Sequence, residues 1–69
     1  MKQSKAKTVI LMELGNLGTC DTFQVERVYA KCDGLITMAY ALKHITTRTA
    51  LEFDTEALNR YNSRLERIG

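Results

Sequence analysis

Apolar positions in this chain recur mostly at helical spacing, and the places where that spacing breaks divide it into four segments. From Lys7 to Leu17 the apolar residues are Val9, Ile10, Leu11, Met12, Leu14 and Leu17. Ile10, Leu14 and Leu17 share one helix face, although the β-branched pair Val9-Ile10 leaves a strand open for the start. Gly15 and Gly18 are expected to end this element. A second helix is predicted over about Thr22–Lys31, with Asp21 as its cap and Gln24 three residues later. Val25, Val28, Tyr29 and Cys32 form its inner face, and Phe23 is expected to pack back on the first helix.

Asp33-Gly34 then reads as a turn, with the glycine free to take positive φ. A third helix is predicted from about Leu35 to Ile45. Leu35, Met38, Ala39, Leu42 and Ile45 fall on its inner side. Ile36, Thr37, Tyr40, Lys43 and His44 fall on the outer side. From Thr46 to Phe53 the pattern changes to β-branched and alternating residues, which predicts a short strand or minimal hairpin. Asp54 or Thr55 caps a last helix with apolar residues at Leu58, Tyr61, Leu65 and Ile68. That stripe can pack on the domain or on the same helix of a second chain, giving a homodimer. The expected architecture is mainly α with a short strand or minimal hairpin, a small helix-turn-helix-like domain over residues 8–69 behind a basic arm at residues 1–7.

Ala30, four residues before Gly34, and Leu35 directly after it complete an Ala-x-x-x-Gly-Leu turn, the skeleton of a helix-turn-helix. Helix, helix-turn-helix, short strand and amphipathic closing helix follow in an order that resembles a winged helix-turn-helix domain. The run Ala50-Leu51-Glu52-Phe53-Asp54-Thr55, leading into Leu58, Leu65 and Ile68, is similar to the strand-then-helix ending of such regulators. A narrower resemblance is to the small podovirus DNA-binding proteins that help shut off host RNA polymerase. It rests on Thr22-Phe23-Gln24, Val28-Tyr29, Leu35 and His44-Ile45. That likeness implies a phage protein acting on host transcription. No glycine lies between Gly34 and Gly69, so Thr46–Asp54 has room for a single strand or a very short hairpin only.

Composition narrows the function classes. A chain of 69 residues makes one small domain that buries only about 60% of its unfolded surface, which makes dimerisation a natural source of stability. Net charge is +2, from 10 Lys and Arg against 8 acids, a weak basic balance. Its distribution matters more: Lys2, Lys5 and Lys7 open the chain, and Arg60, Arg64 and Arg67 recur near its end. Cys20 and Cys32 form no Cys-x-x-Cys pair, and Cys20, Cys32 and His44 lack the short spacings of a zinc site. No phosphate-binding glycine loop or Ser-His-Asp set is present. The expectation is a non-enzymatic, cytoplasmic protein with free thiols, without metal, cofactor or membrane span.

The chemistry then points to duplex DNA. Thr37, Tyr40, Lys43 and His44 would form the reading face, since lysine meets phosphate or guanine and hydroxyls meet phosphate or base edges. Lys5 and Lys7 from the arm, Arg48, and Arg60 and Arg64 from the last helix would add contacts to the backbone. A solvated face, with Glu56 pairing to Arg60, is the plainer reading of those arginines. Asp33, near the start of the third helix, would repel DNA. The alternative function is an inhibitor or adaptor that binds host RNA polymerase or another host protein through the same helix, anchored by Ile36 and Tyr40.

Overall fold

The computed structural model of the protein describes residues 5–68, apart from the side chain of Ile68. Three helices make up this span: α1 (Lys5–Thr19), α2 (Val25–Ala41) and α3 (Thr47–Ile68), with a single 3-10 turn at Thr22–Gln24 before α2. All three pack on one another in an elongated body of 40 × 18 × 17 Å. Short connections reverse the chain twice, so α1 and α3 run parallel and α2 runs against both.

The predicted turn at Gly34 does not form. Residues 25–41 are one continuous helix, and Gly34 has no positive φ. The reason is the register of the inner face. Val25, Cys32, Ile36 and Ala39 lie on one side of a single helix and are all buried. A break at Gly34 would throw Ile36 outward, so one helix buries more apolar surface than two short ones. Ile36, predicted to be exposed, is 1% exposed. Met38 and Leu42, predicted to face inward, stand exposed instead, while Ala39 and Ile45 are buried as expected.

The predicted strand or hairpin is also absent: the described residues contain no strand, and hence no wing. Thr46 and Thr49 owe their place to helix capping rather than to a β-ladder. The Thr49 N–H donates to Thr46 Oγ1 (3.1 Å), and the Thr46 hydroxyl donates to Thr49 Oγ1 (3.0 Å). A threonine at the cap fits this role, because its oxygen satisfies an amide that the helix leaves free. Ala50 and Ala57 then bury against α1 and α2, with Phe53 and Tyr61 packed beside them. Tyr61 stacks on Tyr29 of α2 with ring centroids 4.3 Å apart and planes 14° from parallel.

The first segment is helix throughout, and neither Gly15 nor Gly18 ends it. Ile10, Leu14 and Leu17 form its buried face, as the spacing predicts. Lys5 and Lys7, assigned to a flexible arm, belong to the first turn of α1, while Lys2 lies outside the described residues. Phe23 is 82% exposed and does not pack on α1. Asp21 makes no side-chain capping bond; its carbonyl instead accepts from the Gln24 N–H (2.9 Å) and closes the 3-10 turn. In the last helix, Tyr61 turns inward whereas Leu58 and Leu65 face out.

Candidate nucleic-acid interface

The turn that joins α2 to α3 is built for one conformation. The Lys43 N–H donates to the Tyr40 carbonyl (3.0 Å), and the His44 N–H donates to the Ala39 carbonyl (2.9 Å). These two bonds are the pair that closes a Schellman cap. The cap needs a residue in the left-handed region, and Lys43 supplies it with φ of 62°. Glycine or asparagine ordinarily fills that position, so a lysine there carries a steric cost of about 1–2 kcal/mol. Ile45 is buried next, and Thr46 caps α3.

This turn lies at the same end of the bundle as the start of α1. Lys7, Tyr40, Lys43 and His44 converge there on an open concavity of about 710 Å³, completed by Ile45 and the threonines at 46, 47 and 49. Tyr40 Oη accepts a hydrogen bond from Thr47 Oγ1 (3.1 Å), which ties the end of α2 to the first turn of α3. Four predicted contact residues are therefore brought together. Lys5 is exposed two residues before Lys7, and Arg48 stands on the outer side of the first turn of α3 beside Leu51 and Glu52. Thr37 is exposed on the outer face of α2 but does not line the concavity.

Electrostatics at this end run against what helix stability alone would choose. A helix start carries partial positive charge and favours Asp or Glu. Neither α1 nor α3 has an acid in its first turn. Lys5 and Lys7 occupy that place in α1, and Arg48 occupies it in α3. Two parallel helix dipoles and these cations thus point their positive ends at the same solvent. Asp33, expected to repel DNA at a helix start, lies in the middle of α2, about 12 Å along the axis from the end of that helix.

Arg60 and Arg64 do not belong to this surface. Both are at the opposite end and reach back to α1. Arg60 Nη1 donates to the Leu14 carbonyl (3.1 Å), and its Nε pairs with Glu56 Oε2 (2.6 Å). Arg64 donates to the carbonyls of Leu17 (3.2 Å) and Cys20 (2.5 Å). Leu17 and Cys20 lie at the end of α1, where carbonyls lack helical donors and guanidinium groups complement the helix dipole; Leu14 lies one turn earlier. The two guanidinium groups tie α3 to the C-terminal half of α1. Their helical spacing alone could not reveal partners more than forty residues away.

The threonines at 46, 47 and 49 are site residues that strand propensity concealed; a Thr-x-x-Thr cap was the available signal. Burial raises the Cys32 thiol above its ordinary value, with Glu13 adding to the effect, so this thiol stays neutral in the core. Among the described residues no cluster of His, Cys, Asp and Glu could hold a metal ion, and no helix is long and apolar enough to cross a membrane. No protein-family model, curated protein or solved structure matches the chain.

Proposed function

We propose that this protein binds the phosphate backbone of duplex DNA through the basic end of its helical bundle, with limited sequence specificity. The observation that carries the reading is the reversal of charge at the two helix starts. Lys5, Lys7 and Arg48 stand where helix dipoles favour acids, beside Lys43 in a backbone conformation that favours glycine. Such choices cost the fold stability and suit an external anion. Hydroxyls of Thr46, Thr47 and Tyr40 and the ring of His44 add polar groups of the kind that meet phosphate oxygens. Contact is by a concave end and not by a helix lying along the groove, so base readout is slight and transcription would be modulated through occupancy rather than a precise site.

A docking surface built on Ile36 and Tyr40 loses support. Ile36 is in the core, and the Tyr40 hydroxyl is engaged by Thr47.

Fluorescence anisotropy of a labelled generic duplex at low and moderate salt tests the reading. Wild-type affinity is expected to fall steeply with salt. The Lys7→Ala, Lys43→Ala double variant should bind weakly and lower the logarithmic salt slope by about 2. Arg64→Ala should bind as wild type wherever it remains folded. Absence of wild-type binding at low salt, or equal binding by the double variant, would overturn the assignment.

A further inference from the structure

Leu51, Leu58 and Leu65 repeat every seven residues along α3 and are 62%, 47% and 41% exposed. On a straight helix such a repeat drifts by only about 20° per heptad, so the three side chains form one continuous stripe about 21 Å long. Carboxylates border it on both sides. Asp54 is three residues after Leu51 and four before Leu58, on the edge toward α2. There it feels Asp33 of α2, and Glu26 lies two turns from Asp33 along the same flank. Glu52 and Glu66 follow the other edge. Among the described residues none of these five acids forms an ion pair; the salt bridges use Glu13 and Glu56. Among the described residues of α3, Arg48 is the cation that borders the stripe, at its Leu51 end.

We infer that the leucine stripe of α3 docks a basic amphipathic helix of another protein, with apolar residues at heptad spacing on the stripe and Lys or Arg on both flanks. Charge complementarity selects this occupant. An apolar seam flanked by unpaired carboxylates rejects acidic helices and attracts basic ones. A second copy of this chain suits the seam less well. Pairing two stripes antiparallel about a two-fold axis puts the Asp33 and Asp54 edges of both copies on the same side, where like charges meet. The stripe starts beside Arg48 at Leu51 and runs away from the basic end along α3 to Leu65, so its Leu58–Leu65 part leaves the cations at Lys7 and Lys43 clear.

The test uses two synthetic helical peptides with leucines at heptad spacing, one flanked by lysines and one by glutamates, titrated into the full chain with amide NMR. The lysine peptide is expected to bind roughly tenfold or more tightly than the glutamate peptide. Its shifts should follow α3 and the Asp33 flank of α2. Leu58→Ser should abolish binding, and Asp33→Asn with Asp54→Asn should bring the two peptides closer together. Leu51→Ser serves as a second variant if Leu58→Ser loses helix content by circular dichroism. The Lys7→Ala, Lys43→Ala variant should bind the lysine peptide as wild type, which separates this inference from DNA binding. Equal affinity for both peptides, or no affinity for either, would overturn it. So would sedimentation of the wild type as a dimer that Leu58→Ser disperses, because a second copy would then cover the stripe.

Discussion

Arg64 reaches from α3 to the end of α1 and donates a hydrogen bond to the Cys20 carbonyl (2.5 Å), so a residue near the end of the chain closes a helix near its beginning. The same guanidinium bonds Leu17 O, and Arg60 bonds Leu14 O one turn earlier. Replacing Arg64 leaves two carbonyls without these donors. Hydrogen bonds to charged groups are worth about 1.5–3 kcal/mol each, less where solvent reaches them. Arg64→Ala is therefore expected to cost roughly 1–3 kcal/mol, a fall in melting temperature of several degrees. Thermal melts followed by circular dichroism check this. A variant as stable as wild type but unable to bind DNA would return Arg64 to the DNA surface.

Gly34 separates the helix-turn-helix reading from the structure. At an exposed position inside a continuous helix, a Cβ would meet nothing within 4 Å. Glycine costs a helix interior up to about 1 kcal/mol relative to alanine. Gly34→Ala should thus raise stability by about that amount in urea unfolding. A turn with positive φ at residue 34 would give the opposite sign.

The inner faces of α1 and the first half of α2 could be read from spacing because Ile10, Leu14 and Leu17 in one helix, and Val25 and Cys32 in the next, each keep helical spacing, which Gly15 does not interrupt. Beyond Cys32 local signals misled. Gly34 has turn propensity, yet the burial of Ile36 and Ala39 outweighs it, as tertiary packing commonly does. Thr46, Thr47 and Thr49 have strand propensity, but two of them spend their hydroxyls on a cap. With the strand gone, Leu51 joins Leu58 and Leu65 in a heptad that the strand boundary had split. The candidate site was half legible for a related reason. Lys7 and Lys43 are 36 positions apart and meet only because α2 runs its full length before reversing. The carbonyl partners of Arg60 and Arg64 are farther still.

Lys43 couples stability and binding with opposite signs. Its left-handed backbone costs the fold about 1 kcal/mol or more, which glycine would recover. Its ammonium group supplies one of the cations of the concavity. Lys43→Gly is expected to unfold at a higher temperature than wild type while its salt slope for DNA falls by about 1. Loss of stability in this variant would show that the lysine stem, not its charge, holds the turn.

Asp54 gives the fold a dependence on pH. Burial raises its carboxyl above the ordinary value, and the charge of Asp33 raises it further. A raised acid binds its proton more readily in the folded chain than in the unfolded one. Its contribution to stability is therefore full below the ordinary carboxylate range and is lost as pH rises through the raised value. Asp54→Asn removes this loss. The variant should match wild type in acid, gain on it as pH climbs through the window just above the ordinary aspartate range, and stay more stable at neutral pH. Asp33→Asn should reproduce part of the gain by removing the neighbouring charge and leaving the burial. Urea midpoints measured across that range, with the slope constant between variants, decide the matter. Identical pH profiles for wild type and Asp54→Asn would mean that the two carboxylates do not sense each other across the α2–α3 flank. The acidic edge of the leucine stripe would then be weaker than its sequence suggests.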